Sequence, residues 1–123
     1  MHAKVPLTLV SGGSYQAREA AICAQLAAFT SAPPPVAVIL EGLPSGEFCL
    51  QASAQVRLQR IAPGCFCCIG LLSMKVTLNR LLRPPPARLY LAVASTEHLD
   101  NIKQTLAQAP FNDLLLADSF ICL

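Results

Sequence analysis

The sequence predicts an α/β fold, a three-layer sandwich built on a mainly parallel sheet, and three observations predict it. Apolar residues fill 54% of the 123 positions and charged residues 13%, and the apolar excess comes in several short runs, as strands buried on both faces require. These runs alternate with segments of helical periodicity, which places a crossover helix between successive strands. Glycine and proline clusters mark most of the boundaries. A chain of this length suffices for one compact core, so residues 1–123 are read as a single domain.

The first strand is expected over Lys4–Val10, where Val5, Leu7, Leu9 and Val10 run into the breaker Ser11-Gly12-Gly13-Ser14. Tyr15–Phe29 carries Ile22, Leu26 and Phe29 at helical spacing until the proline run ending at Pro35 stops it. Val36–Leu40 is a continuous apolar run and reads as a buried parallel strand. Gly42, Pro44 and Gly46 make residues 41–55 a loop, with one short element at Phe48–Leu50. Val56–Ile61 alternates apolar and polar residues, which predicts a third strand near an edge. Leu71, Met74, Leu78 and Leu81 form the stripe of a second helix, Arg88–Ala94 a fourth strand, and Leu99, Ile102 and Leu106 a third helix. A last strand covers Leu114–Leu116 or continues to Leu123. The interior strands are expected to be Val5–Val10, Val36–Leu40 and Leu89–Ala94.

No apolar run approaches the roughly 18–20 residues of a membrane helix, and the first residues lack the apolar stretch and cleavage site of a signal peptide. The expected location is cytoplasmic, with reduced thiols and no membrane partner. Nine basic residues spread from Lys4 to Lys103 against seven acidic ones form no basic block, so nucleic acid is not an expected partner. Arg80, Arg83 and Arg88, beside the second proline run, read as a solvated loop.

The chemistry is concentrated in Cys65, Cys67 and Cys68, three thiols in four residues after the Pro63-Gly64 turn. Soft ligands at this density suit Zn²⁺ or Cu⁺, although the spacing is not that of a zinc knuckle. Three readings stay open at this level: metal binding, redox chemistry, or packing as small apolar side chains. Successive residues of a straight strand point to opposite faces, so convergence on one ion requires the curl that Pro63-Gly64 and Gly70 permit. Glu41 and Cys49 are the candidates for a fourth ligand, Cys23 and Cys122 are expected in the core, and His98 reads as a surface or capping residue.

Gly64-Cys65-Phe66-Cys67-Cys68 resembles the Gly-Cys-x-Cys-Cys signature of the CobW family of metal-handling GTPases, and it follows the third strand as it does there. Lys4–Gly12 is similar to that family's first strand entering its phosphate loop, and Val36–Glu41 to its second strand. Leu91–Leu99 stands where the family has its Walker B-like segment, of which His98 is the clear remnant. The resemblance implies a P-loop NTPase-like sheet and a cysteine site for metal.

The phosphate loop itself departs from the pattern. A loop of the form G-x-x-x-x-G-K-[ST] needs glycine for amide access, lysine for charge and a hydroxyl for Mg²⁺. Counting from Gly12, those last three places hold Ala17, Arg18 and Glu19. Arg18 keeps a charge in a different shape, and Glu19 is expected to set a carboxylate against the phosphates at a cost on the order of 4 kcal/mol. Gly12, Gly13 and Arg18 are read either as a residual anion site or as a simple glycine turn into a helix, and no guanine-reading Asn/Thr-Lys-x-Asp motif is present. The leading expectation is a CobW-like domain that binds zinc through Cys65, Cys67 and Cys68, with GTP and Mg²⁺ use lost, acting on metal alone or with a protein partner or as a homodimer. Two alternatives are a divergent GTP-binding protein completed by a partner and a structural or assembly subunit.

Overall fold

The computed structural model describes residues 4–28, 35–42, 53, 56–61, 70–83, 85–94, 99–108 and 111–123. Within them the chain runs β1 (Val5–Ser11), α1 (Tyr15–Ala28), β2 (Val36–Glu41), β3 (Val56–Ile61), α2 (Gly70–Leu81), β4 (Leu89–Val93), α3 (Leu99–Leu106), α4 (Phe111–Leu114) and β5 (Leu115–Cys122). The five strands form one sheet in the order β3-β2-β4-β1-β5, and every pairing is parallel.

This order follows from the distribution of apolar residues. All of Leu89–Val93 is buried, and β1 and β2 are buried almost throughout; such strands need a neighbour on each side and a helix on each face. They occupy the interior, as expected. The half-buried β3 and the largely exposed β5 take the edges.

The connection from β1 to β2 passes over β4, while those from β3 to β4 and from β4 to β5 run in the opposite direction across the sheet. Right-handed crossovers therefore send α1 to one face and α2, α3 and α4 to the other. The core divides accordingly. On one face Tyr15 and Ile22 of α1 pack against Val10, Val38, Leu40, Tyr90 and Ala92. On the other, Met74, Leu78, Ile102, Leu106 and Phe111 cover Leu7, Leu9, Ile39, Leu91 and Val93.

Element edges differ from expectation by a residue or two, and α4, too short for a periodic signal, was not expected. Two arginines differ in kind. Arg57 of β3 donates to the carbonyl of Leu81 at 3.0 Å and so caps the last turn of α2. Arg88 is not part of a solvated loop: it forms an ion pair with Asp118, the residue that bulges from β5 where the β1–β5 register shifts, while Arg80 and Arg83 are exposed. Cys122 is likewise not a core residue. It is exposed because β5 is an edge strand without full helical cover, and Cys23 on α1 is half-buried. No helix among the described residues is long and apolar enough to cross a membrane.

Candidate functional site

Crossovers that leave β1 and β4 on opposite sides of the sheet open a crevice at the carboxyl ends of the strands, where sites of open α/β sheets form. Here β1 delivers Ser11-Gly12-Gly13-Ser14 into α1. Gly12 and Gly13 adopt φ of 81° and 62°, values that residues with a Cβ rarely take. Ser14 then caps the helix: its Oγ accepts the Ala17 amide at 3.0 Å, and its carbonyl accepts the Arg18 amide at 3.0 Å.

One turn into the helix, Arg18 folds back beneath the loop. Its Nη1 donates to the carbonyls of Gly12 at 2.9 Å and Gly13 at 2.7 Å, and its Nη2 donates to the Glu41 carbonyl at 3.3 Å. The residue is 3% exposed, and its Nε is buried with no hydrogen-bond partner among the described residues. Burial pulls its pKa below the ordinary arginine value against the opposing pull of Glu41 and Tyr15; the group stays charged at neutral pH. All three of its hydrogen bonds serve backbone carbonyls of the site itself.

The loop is also closed from the other side. Leu123 donates its amide to the Ser11 carbonyl at 2.9 Å, and a Cβ on Gly12 would meet the Leu123 carbonyl oxygen at 2.6 Å. Glycine is required at position 12 both by conformation and by this close approach of backbone to backbone.

Glu19 departs from its expected role. Its carboxylate, 2% exposed, pairs with Arg60 of β3 at 3.0 Å and does not stand against an anion in the loop. The register of β3 explains this: Arg60 lies on the face that carries Val56 and Leu58 toward α1. The same guanidinium donates to the Tyr15 hydroxyl and lies 5.8 Å from the centre of that ring. Burial works against the Arg60 charge, but the hydrogen bonds it donates to Glu19 and Tyr15 outweigh it and push its pKa above the ordinary value. Tyr15 in turn fills the space over Gly42, where a Cβ would meet its Cδ2 at 2.6 Å.

Glu41 ends β2 with a structural bond. Its Oε1 accepts the Ala94 amide at 2.7 Å and ties the ends of β2 and β4 together; the Gly42 amide does the same for β3 through the Ile61 carbonyl at 2.9 Å. The proposed residual phosphate loop, Gly12, Gly13 and Arg18, is thus brought together, along with Glu41. Cys49, Cys65, Cys67, Cys68 and His98 lie outside the described residues. Among the described residues no group of three or more His, Cys, Asp or Glu side chains could hold a metal, so Glu41 supplies no ligand set without the cysteines.

Sequence reading missed Arg60, the Tyr15 hydroxyl and Leu123. For Arg60 a signal existed, since Val56, Leu58 and Arg60 share one face of an alternating strand and only the last is charged. Nothing local announces Leu123. Comparison with protein-family models, curated proteins and solved structures finds no match to this chain.

Proposed function

We propose that this chain is a metal-binding domain that holds Zn²⁺ through Cys65, Cys67 and Cys68 and does not turn over GTP. The observation that carries the second half is the position of Arg18. A cation that serves phosphate must present its donors to the anion, and those of Arg18 are spent on the carbonyls of Gly12, Gly13 and Glu41. Those oxygens would repel a phosphate brought to the same place. With Glu19 engaged by Arg60, no hydroxyl stands at that position for Mg²⁺.

The first half rests on donor chemistry. Three thiols in four residues follow β3 by four to seven positions, and thiolates are the ligands that zinc prefers at structural and transfer sites. Three protein ligands leave one position for Glu41, Cys49, water or a partner, an arrangement suited to passing metal on.

Zinc titration of reduced protein beside the triple variant Cys65→Ser, Cys67→Ser, Cys68→Ser tests the metal. Stoichiometric uptake by the parent alone is expected, with affinity falling as pH drops because protons compete for thiolates. Equal and weak uptake by both leaves the cysteines as packing residues. Calorimetry with Mg²⁺ and GTP tests the rest: affinity weaker than about millimolar is expected, and a micromolar constant favours a GTP-binding protein completed by a partner.

A further inference from the structure

Among the described residues, the face of the sheet away from α1 is incompletely covered near β5. α3 has eight residues and spans about 12 Å, whereas the eight residues of β5 extend about 26 Å. The short helix ends at Leu106 and α4 drops at once into β5, leaving a groove of about 350 Å³. Its floor is Leu7 and Leu9 of β1, and its walls include Leu106, Ala117 and Phe120.

Two polar side chains stand on this otherwise apolar lining. Lys103 of α3 places its ammonium 4.7 Å from the centre of the Phe120 ring, where the ring face holds a cation. Among the described residues no carboxylate forms an ion pair with it. Asn112 of α4 also lines the groove and offers an amide donor. An apolar depth with a cation and a neutral donor on its lining is complementary to an amphipathic anion.

We propose that this groove binds a small carboxylate with an apolar tail, a medium-chain acyl or comparable aromatic acid. The head group meets Lys103 and Asn112, and the tail lies along Ala117 and Phe120 above the buried Leu7, Leu9 and Leu106. Size sets the class: a cavity of roughly 150 Å³ holds benzene, so this one takes a guest of about twice that bulk, near ten carbons. A nucleotide is too polar for such walls. A second copy of the chain fits less well, because a stable interface buries about 800 Å² on each partner. The exposed apolar residues of β5 also do not share one face: Leu116 is in register with Pro6, and Phe120 with Leu9 across the bulge.

The inference is independent of the cysteine reading, and amide NMR of the whole chain titrated with decanoate, below its micelle concentration, tests it. Saturable shifts on α3, α4 and β5 are expected. Lys103→Gln should weaken decanoate about fivefold and leave the neutral decanol unchanged. Ala117→Phe, a change at an exposed position of an edge strand, should fill the groove and abolish binding of both at unchanged melting temperature. The proposal is overturned by undetectable decanoate binding, by equal binding to the Ala117→Phe protein, which marks nonspecific amphiphile contact, or by equal weakening of decanoate and decanol in Lys103→Gln. A concentration-dependent dimer that disappears in Ala117→Phe would assign the groove to a second copy and overturn it as well.

Discussion

At the carboxyl ends of β1 and β2, three charged side chains, Arg18, Glu19 and Glu41, are almost wholly buried, whereas along β5 two large apolar ones, Leu116 and Phe120, stand more than half exposed. The first region inverts the usual distribution by pairing. Arg18 is matched to three carbonyls, Glu19 to Arg60, and Glu41 to the Ala94 amide, so charge that would cost several kcal/mol alone is tolerated. Among the described residues the second region has one neighbouring strand and a short helix over one face. Burial of charge demands partners fixed beforehand, while exposure of apolar surface demands only that nothing cover it.

The contrast would break most sharply in the interior of the sheet. Val38 is fully buried between β3 and β4 under α1, and Val38→Asp should cost on the order of 3–5 kcal/mol and unfold the domain. Circular dichroism of the purified variant decides it, and a native melting transition would show that β2 is not interior. Phe120→Ser on β5 should change stability by less than about 1 kcal/mol in the same assay.

Next in size is the loop latch. Arg18→Ala leaves the carbonyls of Gly12, Gly13 and Glu41 without their donor, and a loss of about 2–3 kcal/mol is expected in urea unfolding. Arg18→Lys should recover only part of it, since an ammonium lacks the planar fork that reaches three carbonyls. Full recovery would mean that charge alone holds the loop.

Glu19→Gln tests the pairing with Arg60 and should cost about 1–2 kcal/mol. Combining it with Arg60→Gln gives a double-mutant cycle, in which a coupling below about 0.5 kcal/mol would place the pair with ordinary surface contacts. The smallest effect is a pH dependence. Burial raises the Tyr90 phenol pKa, against the pull of Arg88. The unfolded chain ionises first, near pH 10, so the stability present below that pH is lost as pH rises through the raised folded value. Tyr90→Phe should show a flatter stability profile above about pH 10, and an unchanged profile would assign the alkaline loss to other groups.

Much of this architecture was legible in the residues. The continuous runs Val36–Leu40 and Leu89–Ala94 identified interior parallel strands, the alternation of Val56–Ile61 placed β3 near an edge, and the glycine pair announced the turn into α1. These features are local, because strand burial and glycine turns leave their mark within a few neighbouring residues. The Ala17-Arg18-Glu19 departure from a phosphate loop was equally plain in the sequence. What Glu19 does in place of that role was decided by tertiary structure, since its partner Arg60 is 41 positions away; Arg18 is tied within six positions to Gly12 and Gly13, and only its third bond, to Glu41, spans 23. The exposure of Cys122 has the same origin. Phe120-Ile121-Cys122 is an apolar run, and the strand order, which among the described residues leaves β5 with a single neighbour, sets it at the rim.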